Sequence, residues 1–409
     1  MRILWVKAGK LLPVDTGGKI RSYNLLRQLA LRNELTLLSY YGEAEDREYD
    51  AEIRRQFPGA ETIYTGVPGA SALHYARHAL SRTPYAVAKF TSGSVRERVA
   101  GLLAGGRLDV AVCDFLSASA NFPKAFRTPC VLFQHNVESV LWRRQAAHEP
   151  NAIKRLAFAV EAWKMARYER ATVARFPHVV AVSDRDRDEM TAMADPSHIS
   201  VVPTGVDVAQ YRAAAGREAD HRTVMFLGSM DWEANIDAVE HFCRTTWPAI
   251  RAAVPDARFL IVGRNPHARV LSLASDSVEV TGTVPSVVEY LARAAVVVVP
   301  LRIGGGTRLK IFEAMAAGRA VVSTSIGAEG LDVASGRDLL LADDDAVFAG
   351  AVVELLRGGD RRRALGRAAA ECAARYDWPA IALQFERILH KATEQQPLAA
   401  EPVTIEVRA

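Results

Sequence analysis

Short runs of β-branched and aliphatic residues alternate with longer segments of helical spacing almost from end to end of this chain, and that alternation restricts its fold more than any other feature. The first series runs through Ile3 to Val6, Leu35 to Tyr40, Thr62 to Tyr64, Val110 to Asp114, Val131 to Gln134, Val179 to Val182 and Val201 to Val202. A second runs through Val224 to Leu227, Phe259 to Val262, Val278 to Thr281, Val296 to Val299, Val321 to Thr324 and Leu339 to Leu341. Strands this apolar are buried on both faces, the condition of a parallel sheet covered by helices. For 409 residues, two doubly wound α/β domains in tandem are the economical solution.

Helical spacing separates the strands, as in Asn235 to Ala253 and Arg308 to Ala317. The Ala- and charge-rich stretch from Ala209 to His221 has no strand pattern and reads as an interdomain connection. After Leu341 the pattern is helical, and Asp377 and Pro379 start a last helix carrying Trp378, Ile381, Phe385, Ile388 and Leu389. The expected division is a first domain over 1–205, a second over 206–376, a helix over 377–394 packing back on the first domain, and a mobile tail over 395–409.

Nearly half the residues are hydrophobic and a quarter charged, which excludes disorder for most of the chain. The 51 basic residues barely outnumber the 47 acidic ones, so charge gives no support to nucleic-acid binding. Cys113, Cys130, Cys243 and Cys372 lack redox or metal-ligand spacing and read as reduced residues of a cytosolic protein. The apolar run at the N-terminus is too short for a secretion signal, and the longest run, Ala294 to Leu301, is strand-sized. A cytoplasmic protein is expected. The stretch from Trp142 to Arg175 interleaves Arg143, Arg144, Lys154, Arg155, Lys164, Arg167 and Arg170 with Leu156, Phe158, Trp163 and Met165. Two readings stand: a solvated helix face, which Glu161 and Glu169 favour, or a face resting on anionic lipid at the inner membrane surface.

Ligands of open parallel sheets gather outside the carboxyl ends of the strands, so the loops leaving those strands carry the candidates. After the first strand, Gly17 and Gly18 open a helix expected to begin at about Ile20, where paired glycines allow close approach of a ligand and free N–H groups favour an anion. A plain strand-to-helix turn explains the pair equally well. This is no Walker A loop, because Pro13 and Ile20 stand where Gly and Ser or Thr are required. The fifth strand delivers His135, whose imidazole can polarise a phosphate or hydroxyl or take up a proton near neutrality. Gly228 and Ser229 follow the first strand of the second series, and Gly263 and Arg264 the next.

The strongest local signal is PLRIGGGTRLKIFEAMAAG. An apolar strand ends at Leu301, and glycines lead through Thr307 into a helix beginning with Arg308 and Lys310. The N–H groups of Gly305, Gly306 and Thr307, the helix dipole and two cations make a diphosphate site, and Glu313 can accept two ribose hydroxyls.

Together these residues resemble the retaining glycosyltransferase family 4 group. The resemblance runs from Gly17-Gly18 through HNVES, AVSDRDRDEM and VVPTGVD to EAMAAGRAVVSTSIGAEGL. It implies the GT-B fold, two Rossmann-like domains facing an interdomain cleft. GSMDW and PLRIGGGTRLK look closest to sugar transferases of bacterial exopolysaccharide clusters. By position, it implies that Gly17 and Gly18 approach the donor diphosphate, that His135 lies beside the transferring sugar, and that Glu313 is the second glutamate of an E-x7-E motif. Base contacts are implied near Arg264 and at the turn from Gly282 to Val284. Two departures stand out: Gly305 replaces the first glutamate, and Asp231 and Glu233 occur where the family has Arg and Lys. Arg308 and Lys310 are the candidates to replace that lost charge.

The expected activity is transfer of a sugar from a nucleotide diphosphate sugar to a hydroxyl of a saccharide or lipid-linked saccharide, with retention and without metal or other cofactor. Two alternatives stay open: a nucleotide-sugar 2-epimerase of the same fold, for which His135 lacks an evident partner, and a non-catalytic nucleotide-sugar-binding relative.

Overall fold

A computed structural model describes residues 1–42, 44–66, 78, 81–215, 219–303 and 309–394. The chain forms two compact units, one of Met1–Pro203 joined by the chain from Ala382 onward, the other of Thr204–Ile381.

The first unit is built on seven parallel strands: β1 Arg2–Ala8, β2 Glu34–Tyr41, β3 Ala60–Tyr64, β4 Val110–Asp114, β5 Cys130–Phe133, β6 His178–Ala181 and β7 Ile199–Val201. Their order is β3-β2-β1-β4-β5-β6-β7. Leu4, Val6, Ala111, Cys113, Leu132 and Val179 point into a core closed by Val95 and Val99 of the helix Gly93–Ala104. The six parallel strands of the second unit are β8 Thr223–Leu227, β9 Arg258–Val262, β10 Val278–Gly282, β11 Val296–Val299, β12 Ala320–Ser323 and β13 Leu340–Leu341, ordered β10-β9-β8-β11-β12-β13. β8, β11 and β12 are buried along their whole length, as an all-apolar run in a covered parallel sheet requires. Every run read as a strand is a strand.

Three local readings change. The first helix starts at Gly17, not near Ile20, with Thr16 at its N-cap in extended conformation, so Gly17 and Gly18 are its first helical residues. The segment read as a connection contains the helix Val208–Ala215, which buries Tyr211 and Ala214 within the second unit, and the units divide at Pro203 and Thr204. Its alanines are a helix face rather than a linker composition. The helix read over Asn235 to Ala253 passes through a π-turn at Phe242–Thr246.

The last helix is Trp378–Glu394. The Phe385 ring centroid lies 5.6 Å from Trp5 and 5.0 Å from Phe133, on residues that belong to β1 and β5. Glu386 accepts from Asn33 at 2.6 Å and from Arg32 at 3.0 Å, which fixes the helix beside the end of Gly17–Ala30. Phe385→Ala should therefore destabilise the first unit by about 3–5 kcal/mol. The half-exposed neighbour Leu383, changed to Ala, should cost under about 1 kcal/mol, both read from urea unfolding.

Candidate functional site

In a doubly wound sheet the crevice forms where the winding direction reverses, because there the loops leaving two adjacent strands run opposite ways. In the first unit that place lies between β1 and β4. A cavity of about 470 Å³ occupies it, lined by Lys7 of β1, Lys10 after it, Thr16 and Lys19 at the start of the helix Gly17–Ala30, and Phe115 after β4. A smaller one of about 180 Å³ shares Phe90, Phe115 and Ser117 with it and reaches Lys89 and Glu138.

Beneath the larger cavity lies a sealed polar network centred on Asp114, the last residue of β4. Its carboxylate accepts from Trp5 Nε1 at 2.9 Å and from His135 Nε2 at 2.8 Å, and Lys7 Nζ stands 3.6 Å away. Burial alone would raise the Asp114 pKa, but Lys7 and His135 outweigh it and keep the group ionised far into the acid range. His135 is itself buried, and desolvation lowers its pKa to about 4 despite the adjacent carboxylate. It is therefore neutral near pH 7 and takes up no proton there, which corrects the expectation that it titrates near neutrality. Since Asp114 can only accept, Nε2 carries the ring proton and Nδ1 holds a bare lone pair. Nδ1 is buried and has no hydrogen-bond partner among the described residues. The neutral imidazole can thus accept from a hydroxyl at Nδ1.

Phe115 covers that imidazole, its ring stacked at 3.8 Å with an interplanar angle of 11°. The Lys7 ammonium sits 4.2 Å from the same ring's centroid. Phe115 has φ of 74°, a conformation that L-residues avoid and that surrounding contacts must impose. Gly18 is part of that imposition: a Cβ there would come within 2.4 Å of Phe115 Cζ. The missing side chain at Gly18 is thus filled by protein, and a ligand is not needed to explain it.

Sequence reasoning passed over Glu138 as a site residue and read Glu169, which is buried, as part of a solvated helix face. Glu169, buried on the helix Ala152–Arg175, accepts the N–H groups of Glu138 at 2.8 Å and Ser139 at 3.0 Å and so caps the helix Glu138–His148. Burial and this second carboxylate push Glu138 up to about 7, leaving a titrating carboxyl on the wall of the smaller cavity. The only sequence cue was an acidic residue at the start of a helix, which is commonplace.

In the second unit the winding reverses between β8 and β11. Six of the expected residues meet there. Lys310, on the helix Leu309–Ala316, donates to Asn235 Oδ1 at 2.8 Å, and its ammonium lies 4.2 Å from the Phe226 ring centroid. A Cβ at Gly228 would approach Lys310 Nζ to 2.7 Å, so the glycine makes room for the amine. Arg264 Nε donates to Ser229 Oγ at 2.9 Å, and Ser229 Oγ donates to Asp231 at 2.6 Å. Gly263 has a structural reason: a Cβ there would run into the Gly228 carbonyl oxygen, because the chains leaving β8 and β9 stay side by side, with Gly228 N–H donating to the Val262 carbonyl at 3.0 Å. Glu313 accepts from Tyr211 at 3.0 Å; desolvation raises its pKa, while Tyr211 and Lys310 pull it back. Gly282, with φ of 68°, is the last residue of the edge strand β10 and Val284 follows it, outside this group. Gly305, Gly306, Thr307 and Arg308 lie outside the described residues.

No group of three or more His, Cys, Asp or Glu with metal-binding geometry occurs among the described residues. No described helix is long and apolar enough to cross a membrane.

Residues 16–210 match the model of Glycosyltransferase Family 4, and residues 221–358 match that of Glycosyl transferases group 1. The chain belongs to glycosyltransferase family 4. Among curated proteins it is similar to a phosphatidyl-myo-inositol mannosyltransferase of Mycolicibacterium smegmatis, 32% identical over 220 residues, or 51% of this chain and 56% of that one. The chain thus spans little more than half the length of that relative. Sucrose-phosphate synthase from Thermosynechococcus elongatus has a TM-score of 0.68 at 18% identity, covering 97% of this chain and 100% of that one. Anabaena HepE in complex with UDP has a TM-score of 0.66 at 14% identity, covering 96% and 100%. With the two parallel sheets, these likenesses establish the GT-B fold.

Within family 4, this member has no cationic side chain at Asp231 or Glu233. Asp231 is engaged by Ser229 and by Asn265 at 3.2 Å, and Glu233 by Arg269 at 2.8 Å. The amine at the β8 end is Lys310, carried in from the helix after β11.

The buried histidine gives a pH-dependent stability of known sign. Its folded pKa of about 4 lies below the 6.5 of an unfolded histidine, so its contribution is full above about 6.5 and is lost as pH falls towards 4. The first unit should lose up to about 3 kcal/mol from this group over that interval. The urea midpoint of His135→Asn should fall less steeply than the wild type's between those limits; parallel curves would refute the buried neutral assignment.

Proposed function

We propose that this family 4 member transfers a hexosyl group from a nucleoside diphosphate sugar to a hydroxyl of a saccharide or lipid-linked saccharide in exopolysaccharide or cell-surface glycan synthesis. The carrying observation is the Lys310 ammonium over Gly228 at the reversal point of the second sheet, with Glu313 one turn further along the same helix. A cation there suits a diphosphate and the carboxylate suits adjacent ribose hydroxyls. The mannosyltransferase relative supports transfer rather than epimerisation, and the UDP complex of HepE supports a nucleoside diphosphate as the ligand.

In the reaction the bond from the anomeric carbon to the diphosphate oxygen breaks with its electron pair going to the diphosphate, and a bond forms from that carbon to the acceptor oxygen. The acceptor proton leaves with the diphosphate. Lys310, with Arg308 and the N–H groups of Gly305, Gly306 and Thr307, stabilises the charge developing on the leaving group. Retention of configuration and independence of metal are part of the proposal. In the first unit, the cavities beside Phe115 hold the acceptor, and the bare Nδ1 lone pair of His135 accepts from a sugar hydroxyl once the Phe115 ring moves aside. A lipid-linked acceptor makes the protein a peripheral one at the cytoplasmic face of the membrane.

A panel of UDP- and GDP-hexoses, scored by nucleoside diphosphate release and thermal shift, tests this reading. Lys310→Ala should lower turnover by about 10²–10³-fold. Glu313→Gln should weaken nucleoside diphosphate binding by about tenfold, as expected for loss of a charged hydrogen-bonding group. If no nucleotide sugar stabilises or is consumed by the wild type, or if both variants match it, the donor assignment fails. Epimerised free nucleotide sugar formed without acceptor would favour the epimerase instead.

Tyr211→Phe offers a finer check, because its hydroxyl orients Glu313. It should weaken UDP or GDP binding several-fold and leave the 2′-deoxy analogues nearly unchanged, since these lack one hydroxyl that the carboxylate holds. Equal loss for both would assign Tyr211 to folding alone.

A further inference from the structure

The smaller cavity of the first unit, about 180 Å³, gathers polar groups that the fold itself leaves unserved. Lys89 follows the short helix Tyr85–Ala88, Ser117 lies in the short helix Leu116–Asn121 after β4, and Glu138 opens the helix Glu138–His148. Among the described residues the Lys89 ammonium has no hydrogen-bond or ion-pair partner and rests only over the Phe90 ring, 4.9 Å from its centroid. The Ser117 hydroxyl has no hydrogen-bond partner among them either. The Glu138 carboxyl has Asn136 as its hydrogen-bonded neighbour, while the carboxylate of Glu169 serves the backbone of that helix in its place.

Lys89 and Glu138 have opposite charges and line one cavity, yet they form no ion pair with each other. Phe90, Phe115 and Met165 make much of the remaining wall apolar. Separate acceptor and donor groups set in an apolar wall suit a sugar ring, whose hydroxyls both donate and accept and whose C–H groups need an apolar surface. Charge narrows the choice further. A uronic acid would satisfy Lys89 but meet Glu138, and an amino sugar would satisfy Glu138 but meet Lys89, whereas neutral hydroxyls serve both. No other charge on the wall tips this balance: Glu169 does not line the cavity, and Glu161 is paired with Lys164 at 2.9 Å. With its pKa pushed up to about 7, Glu138 is only part-ionised near neutrality and can donate to a hydroxyl as well as accept from one.

We propose that this cavity is the subsite for a neutral sugar unit of the acceptor, its hydroxyls held by Glu138, Lys89 and Ser117, so that Glu138 and Lys89 together determine which saccharides are accepted. Calling the occupant an acceptor rests on the transfer proposed above; the sugar site itself stands on the cavity wall. Phe115, which covers His135, closes this cavity too, so a sugar held here lies beside the imidazole that the Phe115 ring exposes on moving aside. The larger cavity shares Phe90, Phe115 and Ser117 with it and gives the acceptor room to continue.

Saturation-transfer NMR on the full chain without nucleotide tests it, using the methyl glycosides of glucose, mannose and galactose beside those of glucosamine and glucuronic acid. At least one neutral glycoside should bind, and the two charged ones about tenfold more weakly. Glu138→Gln and Lys89→Gln should each weaken neutral binding by about tenfold. They should also exchange selectivity, Glu138→Gln gaining the glucuronide and Lys89→Gln the glucosaminide, which a merely structural role would not produce. Both should keep the wild-type thermal transition and the wild-type response to UDP and GDP. A wild type that binds no neutral glycoside overturns the proposal, as do variants that bind like the wild type or a charged glycoside that binds best. Sugar binding is read apart from nucleotide, so a neutral glycoside bound by a protein that consumes no nucleotide sugar would keep this subsite and remove the transfer reading.

Discussion

A parallel sheet wound in both directions has one place where adjacent strands send their connections apart, and the chemistry of this chain is disposed around two such places. β1 leads outward to β2 and β3 while β4 leads the other way, so the segments after β1 and β4 cannot cover each other. The same holds for β8 and β11. Lys7, Asp114 and Phe115 stand at the first reversal, and Gly228 and Lys310 at the second. These crevices need no special residues to exist. The residues found there show what each is fitted to do.

Two carboxylates at these reversals meet burial in opposite ways. Asp114 accepts from an indole and an imidazole and has an ammonium nearby, so its charge is compensated from within the protein. A saturated group of this kind positions its neighbours: it fixes the His135 tautomer and leaves one lone pair on the far side of the ring. Among the described residues Glu313 accepts from the Tyr211 hydroxyl alone, with Lys310 on the preceding turn, and its pKa stays raised. A carboxylate with spare accepting capacity gains from further donors, and the hydroxyls of a ribose are donors of the right kind.

The strands were legible because a parallel sheet covered on both sides demands uninterrupted apolar runs, and the winding order then indicated the ends at which to search. Lys310 and Glu313 were legible from their place after such a run. The glycines were not. At Gly18 the space is taken by Phe115 and at Gly263 by the Gly228 carbonyl, contacts between segments distant in sequence that no local pattern encodes. Gly282 is different, since its positive φ alone requires glycine. Tyr211 lay in a stretch whose alanines read as linker, and Asp114 looked like the polar end of a strand. What each meets depends on which strands become neighbours.

Moving a cation from one side of a crevice to the other changes what holds it. An arginine or lysine on the loop after β8 would sit on backbone that Gly228 and Gly263 already bring into contact with β9. Asp231 and Glu233, which stand there instead, bind Ser229, Asn265 and Arg269 and make that loop part of the framework. Lys310 comes from a helix, and its ammonium is oriented by Asn235, whose amide also donates to the Ser229 carbonyl at 2.8 Å. The Phe226 face supports it from the strand side. The amine is thereby tied through Asn235 to that framework. An amine held in this way would lose little freedom on meeting an anion, and that preorganisation is what charge stabilisation in a transition state requires.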